Sequence, residues 1–199
     1  LVDTYNGNVQ LIKHGDDFFS NMFLDQYQDK VIEMPAWLEE QIRYPQELFN
    51  WRTEMYNIYH VTDVDIFIQA NEFYEIPRGL DTYYIQAKPP GFEEPEFVGL
   101  LSLELRGSQG RNLAGYMVVE NDKPNLGDMQ FYEVPIESDI KLLGPTSVRE
   151  ALDRDPDFAQ LKTLLRNPRI GDNILYQVGE HDTYFIPVYT AGAGGVVAQ

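Results

Sequence analysis

Three histidines, His14, His60 and His181, are the side chains of this sequence best suited to proton transfer or metal binding, and they lie in three separate regions. A helical metal site asks for two histidines four apart, or a carboxylate one turn away. Glu54 precedes His60 by six residues and falls off that face. Asp63 and Asp65 follow His60 closely. An imidazole beside two carboxylates at one helix end would suit a hydrolase or a metal-dependent enzyme. The competing use is structural. His60 ends an aromatic-rich helix beside Tyr56 and Tyr59, where the helix dipole favours a terminal imidazolium. A catalytic histidine needs an identifiable partner, so the structural use is preferred. No catalytic, cofactor-binding or metal residue is assigned, and no cofactor is expected.

Other chemistry is approached and missed. Asp153, Asp155 and Asp157 alternate like the opening of an EF-hand loop, but Phe158 and Leu164 stand where the loop requires Gly and a bidentate Glu. Neither glycine-rich phosphate-binding pattern occurs. Gly107, Ser108, Gln109 and Gly110 join two expected strands, so they offer no helix terminus to an anion. The serines, Ser20, Ser102, Ser108, Ser138 and Ser147, fall in no nucleophile elbow. Carboxylate pairs for glycoside chemistry are a spatial criterion. With 32 acidic residues, nearly any arrangement would offer some.

The 199 residues carry 15 Lys+Arg against 32 Asp+Glu, a formal net charge of −17. That balance argues against nucleic acid, whose binding needs a basic patch, and against direct contact with anionic lipid. Arg106 and Arg111 are the nearest approach to such a patch. Hydrophobic residues make up 43% and charged residues 24%, the composition of a folded globular domain. With no cysteine, thiol nucleophiles, disulfides, iron–sulfur clusters and Cys-ligated zinc are excluded. The most apolar stretch, Phe97 to Leu103, is far short of the roughly 20 residues of a membrane-spanning helix. Both ends read as cut from something longer, and one soluble domain, residues 1–199, is expected. The 24 Tyr and Phe residues suit a filled core and sheet face better than a sugar- or peptide-binding groove.

The pattern along the chain predicts the elements. Asn6-Gly7 signals a tight N-terminal hairpin, Asp16-Asp17 a helix start and Pro35 a short helix. From Pro45 to His60 the spacing predicts the clearest helix, with Leu48, Trp51, Met55, Ile58 and Tyr59 in one apolar stripe. A short irregular or helical piece, Asp63 to Phe73, precedes a turn at Ile76 to Gly79. Strands are predicted over Asp81–Ala87, Phe97–Arg106, Asn112–Glu120 and Met129–Pro135. Gly144-Pro145-Thr146 opens a second helical region, with Thr146 as its expected cap and Pro156 as a break or new start. Ile174–Val178 and Tyr184–Tyr189 close the chain as a hairpin. The order implies an α+β fold: N-terminal hairpin and helices, then a mainly antiparallel sheet with a further helix and a C-terminal hairpin.

Ordered motifs carry a resemblance. Val2 to Gly7, Arg43-Tyr44-Pro45-Gln46-Glu47-Leu48-Phe49, Tyr59-His60 leading to Ile76-Pro77, Arg111-Asn112-Leu113, Val134-Pro135, Leu143-Gly144-Pro145 and Ile186-Pro187-Val188-Tyr189 together resemble uncharacterised protein family 0182. After Leu165 the segment Asn167 to Leu175 departs from the family's pattern. The family consists of large prokaryotic integral membrane proteins. The resemblance implies that this chain is part of a soluble extracytoplasmic region tethered at the plasma membrane. It supplies no activity and no catalytic residues. Pro45 and Gly144-Pro145 have sufficient backbone reasons of their own.

Three functions compete. The preferred one is a non-catalytic extracytoplasmic domain that binds the membrane-embedded part of its own protein or other envelope proteins. The alternative is an envelope-acting hydrolase or metal-dependent enzyme using the carboxylates Asp63 and Asp65 near His60. The third is a spacer, against which a large exposed apolar patch would count.

Overall fold

In a computed structural model of the chain, the described residues are 1–13, 16–70, 72–107, 111–134, 141–166, 168–178, 181–192 and 195–198. His14 and the loop residues 108–110 lie outside them, as does Pro135 at the end of one predicted strand. The fold is α+β, with mostly antiparallel pairing, in two compact units, Leu1–Arg43 and Tyr44–Gln199.

The first unit is thinly built. Asn6-Gly7 turns the chain as expected, with Gly7 at φ 76 and the Asp3 N–H donating to the Asn8 carbonyl. The predicted hairpin arms reduce to the single bridge between Val2 and Val9. Strand β1 (Leu11–Ile12) instead pairs in parallel with β2 (Val31–Ile32). Between them lie helix α1 (Phe18–Gln26) and a 3-10 turn, Gln28–Lys30. Asp17 caps α1 by accepting from the Phe19 and Ser20 N–H groups. Pro35 precedes α2 (Ala36–Glu39).

The second unit is organised by a five-stranded sheet. Its strands are β3 (Tyr74–Glu75), β4 (Tyr83–Ala87), β5 (Glu96–Leu105), β6 (Leu113–Glu120) and β7 (Met129–Glu133). The order is β3-β5-β6-β7, with β4 also on β5. Both central strands are nearly continuous apolar runs because both sheet faces are covered. On one face, Leu101, Met117 and Val119 pack with Phe49 of helix α3 (Gln46–Tyr59). On the other, Val98, Leu100 and Val118 pack with Leu175 of the later strand β9 (Ile174–Val178). Gly99 lets β4 and β6 close in, since a Cβ there would meet Val119 and Tyr84 at 2.8 and 2.9 Å.

Helix α4 (Val64–Ile68) follows α3 and is capped by Asp63. Two helices, α5 (Pro145–Arg154) and α6 (Pro156–Leu164), follow the sheet. Pro156 starts the second of these, and Asp155 caps it by accepting from the Phe158 N–H. The last strands are β8 (Arg169–Ile170), β9 (Ile174–Val178), β10 (His181–Phe185), β11 (Val188–Gly192) and β12 (Gly195–Ala198). The C-terminal hairpin is β9 with β10, so its second strand is His181–Phe185 rather than Tyr184–Tyr189. Pro187 interrupts the predicted run, having no N–H for a ladder. Beyond it β11 leaves the hairpin and pairs with β8 and β12. Among the described residues no helix is long and apolar enough to cross a membrane.

Candidate functional site

His60 is held as an aromatic element. Its ring stacks between those of Tyr56 and Tyr74, at centroid distances of 5.2 and 4.0 Å, and its Nδ1 lies 2.8 Å from the Tyr56 carbonyl. The Asp63 carboxylate is occupied by the Asp65 and Ile66 N–H groups at the start of α4. Each of these groups therefore already has a local partner. His181 is exposed on β10. Of the EF-hand-like carboxylates, Asp153 binds Lys162 and Asp155 caps α6. Among the described residues no three His, Asp or Glu side chains are grouped to hold a metal ion. Glu96, Glu120 and Asp122 adjoin at one sheet end. Burial, then the charge and hydrogen bond of Glu120, push the Glu96 carboxyl up, while Asp122 accepts from the Phe97 N–H.

Four of the five residues of the predicted α3 stripe face outward, and Ile58 is half-buried. Leu48, Trp51, Met55 and Tyr59 are 40, 64, 58 and 62% exposed, whereas the buried residues of the helix are Phe49, Thr53 and Asn57. Spacings of three and four put the first set on one side of the helix. The sheet accepts the other side through Phe49, with Tyr56 packed against the same cluster. Tyr59 continues onto α4, its ring 6.2 Å from that of Phe67, and Val64 and Ile68 are exposed beside it in sequence. Here the hydrophobic pattern marks a surface instead of the core.

A polar cleft forms where β3, β5 and α5 meet. Glu104 is buried in β5 between Leu103 and Leu105, on the opposite side of the strand, at a break in the β5–β6 register. Its carboxylate accepts from the Thr146 N–H at 2.7 Å and the Thr146 hydroxyl at 3.0 Å. Glu104, and not Thr146, is thus the cap of α5, whose N-cap residue Gly144 has no side chain to offer. Burial pushes the Glu104 carboxyl up, partly opposed by the Thr146 hydrogen bonds and the Arg111 charge. Two hollows of about 590 and 290 Å³ adjoin here, sharing Pro77, Arg78 and Thr146. Sequence reasoning missed this site. A charged residue inside the run Leu103-Glu104-Leu105 was the available signal, since a carboxylate is almost never buried without a partner.

Against known proteins, Uncharacterised protein family (UPF0182) matches residues 1–165. The chain is 27% identical to a UPF0182 protein of Sulfurovum sp. (strain NBC37-1), over 100% of this chain and 23% of the relative. It is 28% identical to one of Salinibacter ruber and 30% identical to one of Methanospirillum hungatei, over 95% of this chain in both cases and 21% and 22% of the relatives. No solved structure matches. The chain belongs to the UPF0182 family. It spans about a fifth of the length of these curated relatives.

Proposed function

We propose that this chain is a non-catalytic binding domain, held on the extracytoplasmic side of the plasma membrane by transmembrane segments elsewhere in its polypeptide, and that its outward α3 face docks on that membrane-embedded part. The observation that carries the reading is the exposed stripe Leu48, Trp51, Met55 and Tyr59. Contiguous apolar surface of this kind marks an interaction site, and a spacer has no use for it. A partner within the same polypeptide is favoured because the curated relatives are four to five times longer than the segment matched.

The chain's lack of cysteine makes the test direct. Met55→Cys and, as an exposed control, Glu94→Cys are placed singly in the full-length protein, any cysteines elsewhere being replaced. A membrane-impermeant maleimide is then applied to intact cells, and to the 199-residue chain in solution. Docking predicts that Cys at 55 reacts in the isolated chain and is protected in the full-length protein. Equal reaction in both would remove the docking proposal. Failure of the control to label in intact cells would place the domain on the other side.

A further inference from the structure

The cleft beside Glu104 gathers an unusual share of the chain's few cations. Arg78 and Arg149 line the smaller hollow, Arg78 and Arg111 the larger. Arg149 is oriented by donating to the Gly171 carbonyl at 2.9 Å, and Arg111 pairs with Glu150 at 2.7 Å. Arg78 has no hydrogen bond or ion pair among the described residues. Three carboxylates share the lining: Glu75, Glu104 and Asp172. Glu104 is spent on Thr146, which also leaves no free N–H there for a ligand. Glu75 and Asp172 remain exposed.

The geometry points to a binding site for a small zwitterion, an amino acid or short peptide with free ends, whose carboxylate is taken by Arg78 and Arg149 and whose ammonium is taken by Asp172. Arginine presents a planar fork that matches a carboxylate, and Arg149 is already held in place by Gly171. A plain polyanion is a poorer fit. It would meet Glu75 and Asp172 beside the arginines, within a chain of net charge −17. A ligand carrying both signs uses both halves of the lining, and the smaller hollow, which holds Arg78, Arg149 and Asp172, is about 290 Å³, at the lower end of the volume range of small-molecule sites and so suited to a small ligand. None of the residues lining either hollow belongs to α3 or α4, so this inference stands or falls separately from the docking face.

Calorimetric titration of the 199-residue chain with trialanine, L-alanine, L-glutamate, N-acetylated trialanine amide and citrate tests it. Trialanine or one of the amino acids is expected to bind with a dissociation constant below about 1 mM, which of them binds identifying the ligand class. Arg78→Ala is expected to weaken that binding at least about tenfold, the loss of a charged hydrogen bond. Arg78 is exposed and without partners, so its removal leaves the fold intact. Arg149→Lys should weaken binding by keeping the charge and losing the fork, and the capped peptide should bind at least about tenfold more weakly than trialanine. No binding by any free-ended probe, unchanged affinity in Arg78→Ala, or citrate binding as tightly as the zwitterions would each overturn the proposal.

Discussion

The Glu104 carboxylate, carried by a central strand, caps helix α5 through both donors of one residue, the N–H and the hydroxyl of Thr146. Strand and helix are thereby joined by charge-assisted bonds at a helix N-terminus, where a negative group is also favoured by the dipole. Gly144 makes room for the arrangement. A Cβ there would lie 2.6 Å from the Glu104 Cγ and Oε1 and 2.8 Å from the Arg111 carbonyl oxygen. Gly144→Ala is therefore expected to displace the cap and destabilise the chain by about 1–3 kcal/mol, since a buried acceptor and a helix terminus lose their partners together. Equilibrium denaturation measures this; a change within about 0.5 kcal/mol would mean that Glu104 can be reseated without cost.

Acidity should stabilise this protein over the range where many proteins are indifferent. Burial raises the Glu104 and Asp182 carboxyls, and burial with the Glu120 charge raises Glu96. A carboxyl whose pKa is raised on folding binds more protons in the native state. Its contribution is present below the ordinary carboxylate value, near 4, and is lost as the pH climbs from there through the native value. Asp16 and Asp17, lowered by Lys13 and by the Ser20 hydrogen bonds respectively, act in the opposite sense and only as the pH falls. Self-repulsion at net charge −17 adds to the first trend. The Tm is expected to fall between pH 4.5 and 8, and the Glu96→Gln, Glu104→Gln double variant to flatten that slope. A rising Tm over this range would contradict the assignment.

Much of the fold was legible because it depends on local chemistry. Pro45, Asp17 and Pro156 mark helix starts through their own backbone or side chain, and β5 and β6 announce themselves as long apolar runs. What sequence could not show is what lies opposite. The stripe Leu48, Trp51, Met55 and Tyr59 has the spacing of a buried face, yet Phe49, Thr53 and Asn57 are the residues the sheet covers. Periodicity gives a helix an apolar side without saying which partner meets it. Thr146 looked like the cap of α5 because it sits at the right position, whereas the acceptor comes from Glu104, 42 residues earlier. The cleft was invisible for the same reason, since Arg78, Arg111 and Arg149 are distant in sequence. His60 was legible as a helix-end residue, but its stacking on Tyr74 depends on the sheet.

Tyr83 ties the C-terminal hairpin to the sheet. Its hydroxyl accepts from the Leu175 N–H at 2.9 Å and donates to the Leu175 carbonyl at 2.8 Å, so one side chain satisfies both backbone groups of a fully buried residue. Tyr83→Phe leaves both groups unpaired and is expected to cost about 2–4 kcal/mol. In a chain of this size that is roughly 4–16 °C in Tm, at about 2–4 °C per kcal/mol. Hydrogen exchange at Leu175 gives a local reading, since loss of the acceptor should speed exchange there ahead of β5 and β6. Unchanged protection would mean that the hairpin is held by packing alone.

Thr53 tests how firmly α3 is seated. Its Oγ1 is buried without a hydrogen-bond partner among the described residues, and so is the Asn57 Oδ1 one turn later. Unsatisfied buried polar atoms of this kind cost about 1–3 kcal/mol each. The helix therefore turns two polar side chains inward beside Phe49 while Trp51, Met55 and Tyr59 face out, an arrangement that burial alone would not select. Thr53→Val removes the orphaned hydroxyl at nearly constant volume and is expected to raise the Tm by about 2–4 °C for each kcal/mol recovered. A lower Tm would mean that the hydroxyl is bonded in solution and that α3 lies differently on the sheet. If the gain appears, the inward polar face is a cost the fold carries, and the use of the helix must be sought on its outer side. The double variant Trp51→Ser, Met55→Ser then completes the argument. It alters only exposed positions, so it should leave the Tm of the isolated chain within about 4 °C while abolishing the protection of position 59 in the full-length protein, read with Tyr59→Cys.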